Sequence, residues 1–272
     1  MLGAIIGDIV GSRFEWNNLK SKDFGLFGND GLHRAPCMVT DDTVMTVAVA
    51  DALLRFDRIE DEAAFKAVLV ERMHFFGQPR PDCGFGGNFY HWIVNGDTLP
   101  YGSYGNGSAM RVAPVGWYAE TLIDAERIAK LTAEVTHNHP EGIRGAQAVA
   151  GAIWLARHGK SKAEIRHYIA ANYYPDAFVL PLRDIRPDYE FDESCQGTVP
   201  EALVAFMEGK DFEDAIRNAI SLGGDSDTLA DITGAVAEAF YGIPDEIRET
   251  ALTFLDDELR EVTLRFADKY CR

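Results

Sequence analysis

The sequence has few basic residues and no long apolar segment. Its 272 residues include 26 Lys and Arg against 43 Asp and Glu, which gives a net charge of −17. Nucleic-acid-binding proteins and proteins of anionic membrane surfaces usually present a basic patch, and no Lys/Arg cluster is found, so we expect no direct nucleic-acid or membrane partner. The apolar runs are too short to cross a bilayer. A nucleotide ligand is not excluded, because metal ions and backbone amides reverse the field locally.

Cysteine is scarce and scattered. The four cysteines, Cys37, Cys83, Cys195 and Cys271, contain no Cys-x-x-Cys pair, so we expect reduced packing residues. The histidines also lack zinc-like spacing, apart from His137-Asn138-His139. That pattern is a poor chelate at what resembles a helix end, and a capping or loop role is the simpler interpretation.

A basic leader is missing from the apolar N-terminus, which contains Asp8 instead. A signal peptide would carry such a leader, so we interpret these residues as a buried helix and expect a cytoplasmic protein. The apolar content of 47% and the chain length favour one globular domain over residues 1–272. We take a monomer as the default.

Alternating strand patterns are nearly absent, and Phe178-Val179-Leu180 is the one strand-like fragment. Helical periodicity dominates, so we predict an all-α fold with many helices around one core. Gly3, Gly7 and Gly11 recur at helical spacing, which suggests close helix packing. The predicted helices are 2–12, 40–56, 61–76, 108–120, 124–137, 141–158, 161–172, 199–208, 211–221, 227–241, 244–255 and 257–269.

Two long loops separate some of these helices. They are Asn17 to Pro36, which is rich in glycine, and Tyr173 to Val199, which contains a run of acidic residues. Long loops in a compact domain are often functional, although either one would also serve as a solvated connection.

Two short acidic blocks lie far apart in the sequence. They are Thr40-Asp41-Asp42-Thr43 and Asp225-Ser226-Asp227-Thr228, and each opens an apolar helical run. Either block alone is explained by helix capping. Each nevertheless supplies two carboxylates where one cap would need a single acid, and adjacent like charges cost free energy unless a cation or solvent offsets them. Hard divalent cations prefer such oxygen donors, so the pair predicts a metal site if the fold brings the blocks together.

Four segments taken together closely resemble the ADP-ribosylglycohydrolase family, which includes the dinitrogenase-reductase-activating glycohydrolases. The resemblance extends from Gly3 to about Tyr241, and it is specific because all four segments occur in order and at the family's spacing. The segments are Gly7-Asp8-Ile9-Val10-Gly11-Ser12-Arg13-Phe14-Glu15, Thr40-Asp41-Asp42-Thr43, Gly102-Ser103-Tyr104-Gly105-Asn106-Gly107-Ser108-Ala109-Met110-Arg111 and Gly223-Gly224-Asp225-Ser226-Asp227-Thr228.

The resemblance implies a compact single-domain orthogonal bundle of helices with two Mg²⁺ or Mn²⁺ ions. Carboxylates neutralise such ions, and threonine hydroxyls add hard donors without charge. The implied metal residues are Thr40, Asp41 and Asp42 on one side and Asp225, Asp227 and Thr228 on the other.

The resemblance also implies a substrate site. Glu15 corresponds to a movable catalytic glutamate, although a surface glutamate at a helix end is the simpler alternative. Asp8 is expected to have a structural task or to support the metal ligands from behind. An aromatic contact for adenine is expected, with Phe85, Tyr90 and Trp92 as candidates. Arg111 would contact phosphate or pair within the core. The residues that correspond to the diphosphate and ribose contacts are Gly102, Ser103, Tyr104, Gly105 and Asn106, together with His137 near the ligand.

The function implied is a metal-dependent hydrolase that releases ADP-ribose from an ADP-ribosylated protein or a small O-linked conjugate. Two alternatives stay open: a non-catalytic ADP-ribose-binding or crystallin-like protein, and a dimetal phosphohydrolase acting on a nucleotide. Glu15 favours serine-type or acyl-type linkages, but other relatives remove ADP-ribose from arginine. The sequence does not select the acceptor.

Overall fold

A computed structural model of the chain describes residues 1–28 and 35–271, and these residues form an all-α fold. Within the described ranges there is no β-sheet, and a single antiparallel β-bridge joins Gly105 and Ser194. The predicted fold class is confirmed, and Phe178-Val179-Leu180 lies in a turn. The helices are α1 (Leu2–Gly11), α2 (Asp41–Leu54), α3 (Glu62–Gly77), α4 (Gly87–Asn95), α5 (Gly107–Met110), α6 (Ala113–Tyr118), α7 (Leu122–Glu134), α8 (Pro140–Arg157), α9 (Lys162–Asn172), α10 (Leu182–Ile185), α11 (Cys195–Glu208), α12 (Phe212–Ile220), α13 (Ser226–Tyr241), α14 (Asp245–Leu252) and α15 (Asp257–Tyr270).

Helices α1 and α13 are buried side by side at the centre of the fold, and their glycines explain how closely they approach. A Cβ atom added at Gly7 would lie 2.0 Å from the carbonyl oxygen of Ala230, and one at Gly11 would lie 2.5 Å from the Cα of Asp227. Side chains larger than hydrogen would therefore force the helices apart. The contact places Asp8 of α1 next to the first turns of α13.

Local signals at helix starts are well matched by the structure. Thr40 is the N-cap of α2, and its side chain accepts a hydrogen bond from the N–H of Asp42. His139 is the N-cap of α8 and accepts from the N–H of Glu141, in agreement with the capping role expected for one of the paired histidines. These caps satisfy N–H groups that the first helical turn leaves free.

Several helices differ from the predicted ones. The predicted helix 108–120 is divided into α5 and α6, because Pro114 has no N–H with which to continue the helical bonding. Helix α11 begins at Cys195 rather than 199, and Pro200 lies inside it. Helix α4 was not predicted, and its start is surrounded by the glycines of the Gly84–Gly87 segment, which read as a turn.

The two long loops border the same region of the molecule. Of the first, Asn17 to Pro36, residues 29–34 lie outside the described part of the chain. The second, Tyr173 to Val199, contains α10 and the start of α11. Asn18 connects the first loop to the glycines before α13, because its Oδ1 accepts from the N–H of Gly224 at 2.7 Å. None of the described helices is both long and apolar enough to cross a membrane.

Candidate functional site

The two acidic blocks meet at the N-termini of α2 and α13. The hydroxyl of Thr228 donates to Asp42, with Oγ1 3.1 Å from Oδ1 and 3.3 Å from Oδ2. Asp42, Asp225 and Asp227 are all buried. The condition on which the predicted metal site depends, that the distant blocks come together, is therefore met.

Carboxylate oxygens from three parts of the chain form two overlapping clusters. Asp8, Asp42 and Asp227 each contribute an oxygen to one group whose atoms lie within 4.8 Å of one another. Glu15, Asp225 and Asp227 form a second group by the same measure. Asp227 belongs to both groups, so the two clusters share this residue.

The electrostatics of these groups are unfavourable for carboxylates alone. Burial, followed by the charges of Asp225 and Glu15, raises the pKa of Asp227 well above its ordinary range. Burial raises the pKa of Asp8 to about 6, and burial together with Asp225 and Asp8 raises the pKa of Glu15 to about 7. Buried like charges of this kind are costly unless a positive charge offsets them.

The donor set fits divalent cations. Within the described residues, none of the clustered carboxylates forms an ion pair with Lys or Arg, and Oδ1 of Asp227 is buried without a hydrogen-bond partner. Oxygen-only donors in a compact group are the ligands that Mg²⁺ and Mn²⁺ prefer. Two clusters with a shared Asp227 provide room for one or two such ions.

Asp8 combines the expected structural task with one that the sequence interpretation missed. Its Oδ2 accepts from the N–H groups of Thr40 and Thr43, each at 3.1 Å, and its Oδ1 accepts from the hydroxyl of Thr40 at 2.7 Å. These bonds hold the start of α2 against α1. The same carboxylate lies in the metal-ligand cluster, so Asp8 is an additional candidate ligand.

Asp231 was missed altogether. It lies one turn after Asp227 on α13, it is fully buried, and neither of its carboxylate oxygens has a partner among the described residues. Burial and the charge of Asp8 raise its pKa well above the ordinary range. The signal was available, because residues four apart on a helix share a face, but one acid within an apolar helix is usually a packing or pairing residue.

A cavity of about 660 Å³ opens beside the carboxylates. Thr40 is the one predicted site residue that does not line it, since its side chain is occupied with Asp8 and the α2 cap. Asp41 is half-buried and faces the cavity, but its oxygens are outside both tight clusters. The predicted residues that line the cavity are Glu15, Asp41, Asp42, Gly102, Ser103, Tyr104, Gly105, Asn106, His137, Asp225, Asp227 and Thr228.

The glycine-rich loop forms one wall of the cavity. Gly102 has φ +72°, a conformation that glycine adopts readily, and its N–H donates to Asn138 Oδ1 at 2.8 Å. The N–H of Gly105 donates to Ser103 Oγ at 3.1 Å. The N–H groups of Ser103 and Tyr104 have no acceptor in the described chain, which leaves them free to bind an anionic ligand.

Asn106 is tied to the acidic cluster. Its side-chain amide donates to Asp225 Oδ2 at 2.7 Å and to Thr198 Oγ1 at 3.1 Å. The bond fixes the orientation of the Asp225 carboxylate. A direct contact between Asn106 and substrate stays a prediction.

Arg111 is buried beneath the loop, and it forms no ion pair with an acid among the described residues. Its Nη2 donates to the carbonyl oxygen of Thr132 at 3.0 Å and to Thr136 Oγ1 at 2.8 Å. Thr136 Oγ1 is in turn 2.7 Å from His137 Nδ1. Burial lowers the pKa of Arg111 to about 10, so the guanidinium is still charged at neutral pH.

Exposed aromatic side chains surround the cavity entrance. Trp16, next to Glu15, stacks on Phe191 with ring centroids 5.5 Å apart, and the two are 78% and 44% exposed. Tyr104 is also exposed. Of the aromatic residues proposed for adenine, Phe85 lines the cavity, whereas Trp92 is buried and its Nε1 donates to the carbonyl oxygen of Leu99.

The chain is similar to known proteins over nearly its whole length. The family model described as ADP-ribosylglycohydrolase matches residues 1–272. ADP-ribosylhydrolase ARH3 from Homo sapiens is 27% identical, over 92% of this chain and 86% of its own. ADP-ribosylarginine hydrolase Tri1 from Pseudomonas putida (strain GB-1) is 26% identical, over 89% of this chain and 70% of its own. A solved chain titled ADP-ribosylglycohydrolase-related protein complex aligns with a TM-score of 0.68 and 26% identity, covering 98% of this chain and 95% of that one.

Proposed function

Because this chain belongs to the ADP-ribosylglycohydrolase family, we propose that it hydrolyses the bond between ADP-ribose and an acceptor, a modified protein or a small O-linked conjugate. The observation that carries the proposal is the pair of buried carboxylate clusters that open, with Glu15, into a cavity bordered by the glycine-rich loop. A cavity of about 660 Å³ suits a ligand of nucleotide size.

The carboxylates fit two divalent cations, Mg²⁺ or Mn²⁺. The residues that would hold them are Asp8, Asp42, Asp225 and Asp227 of the two clusters, with Thr228 beside Asp42. Asp41, at the cavity wall outside the clusters, is proposed as a further ligand, and Thr40 supports the start of α2. Such ions supply charge neutralisation and polarisation of ribose hydroxyls or water when they are bound.

The protein's own groups then have separate tasks. The free N–H groups of Ser103 and Tyr104 bind diphosphate oxygens, and Asn106 holds Asp225 in place. Glu15 lies against the second carboxylate cluster at the cavity wall, where it orients the attacking water or moves a proton as the glycosidic bond breaks.

The proposed acceptor is a serine, arginine or acyl group that bears ADP-ribose. The curated relatives include proteins named ADP-ribosylhydrolase and ADP-ribosylarginine hydrolase. We further propose that the chain acts as a cytoplasmic monomer without direct nucleic-acid or membrane contact. Its net charge of −17 supports the proposed absence of contact with nucleic acids and anionic membranes.

A panel of serine-, arginine- and acyl-linked ADP-ribose substrates tests the proposal. Purified protein with Mg²⁺ or Mn²⁺ should release ADP-ribose from at least one of them, and chelator should abolish the release. Turnover that persists in the Asp41→Ala, Asp227→Ala double variant contradicts the metal assignment. Binding of ADP-ribose without hydrolysis of any conjugate indicates a binding module, and release of phosphate indicates a nucleotide phosphohydrolase.

A further inference from the structure

A buried relay of hydrogen bonds, from Arg111 through Thr136 to His137, connects the core to the cavity wall. Arg111 Nη2 donates to Thr136 Oγ1 at 2.8 Å, and Thr136 Oγ1 lies 2.7 Å from His137 Nδ1. Arg111 and Thr136 are almost completely inaccessible to solvent, and His137 is 4% exposed and lines the cavity. The relay therefore connects a buried cation, Arg111, to a side chain at the ligand site, His137.

The direction of these bonds follows from the donor inventory. A guanidinium has only donors, so Thr136 Oγ1 is the acceptor in its bond with Arg111. The hydroxyl hydrogen of Thr136 therefore needs an acceptor. Within the described residues, His137 Nδ1 is the other polar atom within hydrogen-bond distance of Thr136 Oγ1. If Nδ1 carried the hydrogen instead, a fully buried hydroxyl hydrogen would have no acceptor, which is unfavourable. Nδ1 is therefore the acceptor, and the neutral ring carries its hydrogen on Nε2.

The other side of the ring faces the ligand loop. A Cβ atom added at Gly107 would lie 3.0 Å from His137 Nε2, and one at Gly105 would lie 3.6 Å from it. No described group bonds to Nε2. The loop glycines thus keep the donor atom uncovered beside the segment that we assign to the diphosphate and ribose.

We propose that Arg111 and Thr136 are positioning residues that hold His137 in its Nε2–H tautomer and direct that N–H to an oxygen of bound ADP-ribose. The identity of the ligand rests on the proposed function, whereas the tautomer does not. Diphosphate and ribose oxygens accept hydrogen bonds, so a fixed donor is useful there and an Nε2 lone pair would repel them.

The charge state of the ring agrees with this arrangement. Burial, followed by the nearby charge of Arg111, lowers the pKa of His137 well below its ordinary range. The ring is therefore neutral at physiological pH. A neutral imidazole carries its hydrogen on one of the two ring nitrogens.

Nuclear magnetic resonance measures the tautomer directly. Long-range ¹H–¹⁵N correlation of ¹⁵N-histidine-labelled wild-type protein in chelator at neutral pH, with His137 assigned by its absence in H137Q, should show a protonated Nε2 and an unprotonated Nδ1. An Nδ1–H tautomer, or an imidazolium, overturns the proposal. The tautomer is measured on the wild-type protein without substrate, and H137Q serves only to assign the signal.

Calorimetric titration with ADP-ribose, in buffer containing Mg²⁺, tests the consequence for binding. Thr136→Val keeps the side-chain shape and removes the hydroxyl, so we expect about tenfold weaker binding, the loss of roughly one good hydrogen bond. Thr136→Ser retains the hydroxyl and should bind nearly as well as wild type. Equal affinity of T136V and wild type, with both folded by circular dichroism, overturns the positioning role.

The outcomes separate this inference from the proposed function. A protein that shows the Nε2–H tautomer and binds ADP-ribose but hydrolyses no conjugate contradicts the enzyme assignment and leaves the relay supported. A protein that turns over conjugates with an Nδ1–H ring contradicts the relay and leaves the enzyme assignment supported.

Discussion

At the scale of single residues, the carboxylates of the site have unequal tasks. Asp8 is engaged by the N–H groups of Thr40 and Thr43, and Asp225 is held by Asn106. Glu15 is less buried than either and stands at the cavity wall within the second cluster. A side chain that must move or exchange a proton is best placed where it is not fixed by several hydrogen bonds, which supports Glu15 as the catalytic candidate.

Glu15→Gln should lower kcat strongly and leave the binding of ADP-ribose nearly unchanged. The amide keeps the shape of the side chain but does not accept a proton, and loss of a general acid–base group typically costs roughly 10²- to 10⁴-fold in rate. Single-turnover kinetics and calorimetry measure the two quantities. Glu193→Gln is the matched control, since Glu193 lines the same cavity but does not belong to either carboxylate cluster. A fall in kcat of equal size in both variants would argue against the role of Glu15.

The rings of Trp16 and Phe191 stack next to Glu15. Because Trp16 is largely exposed and Phe191 is partly exposed, Trp16→Ala should change the free energy of unfolding by less than about 1 kcal/mol. The pair lies beside Glu15, where the acceptor would leave, so we expect a higher KM for a peptide conjugate and an unchanged Kd for free ADP-ribose. Trp16→Phe should restore the KM. Equal weakening of both ligands in W16A would place the pair on the nucleotide side instead.

The sequence predicts only some of the residues that come together at the site. The acidic blocks and the glycine loop are contiguous motifs, so the resemblance could point to them residue by residue. Asp231 has no such motif around it, and its importance comes from a neighbour in space, Asp8 on another helix. The relay from Arg111 to His137 was missed for the same reason, since the sequence does not reveal the hydrogen bond between Arg111 and Thr136.

At the scale of elements, the helices that carry apolar periodicity and caps were predictable because these signals are local. Helix α2 with its Thr40 cap is an example. The division of the predicted helix 108–120 by Pro114 was locally visible too, but apolar residues on both sides concealed it. The pairing of α1 with α13 was not visible, since recurring glycines suggest close packing without naming the partner helix.

Gly7→Ala tests the dependence of the site on that pairing. The added methyl would lie 2.0 Å from the carbonyl oxygen of Ala230 on α13, so the helices must separate and the free energy of unfolding should fall by about 1–3 kcal/mol or more. Urea denaturation measures the loss. Gly87→Ala, where a Cβ meets no atom within 4 Å at the first residue of α4, should be neutral or slightly stabilising. Equal stability of G7A and wild type would contradict the close packing of α1 on α13.

At the scale of the whole molecule, the fold places the most acidic part of its interior where α1, α2 and α13 meet. Segments that are distant in sequence, Asp8, Asp42 and Asp227, share one cluster there. The apolar core stabilises the folded state by far more than any single group, and this surplus offsets the cost of bringing the carboxylates together without a counter-charge. Stability should accordingly depend on pH and on divalent cations in a way that an ordinary core would not produce.

The sign of that dependence follows from the raised pKa values. The pKa of Asp8 is about 6 and that of Glu15 about 7 in the folded protein, both above their ordinary values. Between about pH 4 and pH 7 the folded state therefore holds protons that the unfolded chain releases, and the free energy of unfolding falls as pH rises through this range.

In chelator, the melting temperature should thus be higher near about pH 6 than near about pH 8. Added Mg²⁺ should raise it more at the higher pH, because cations bind the deprotonated carboxylates and binding to the folded state stabilises it. Asp227→Asn removes one charge from both clusters and should reduce both the pH effect and the Mg²⁺ effect. Since the chain carries many other acids, this variant is the control that isolates the cluster. A wild-type protein that is equally stable at both pH values in chelator, and that does not respond to Mg²⁺ or Mn²⁺, would contradict a buried carboxylate site for divalent cations.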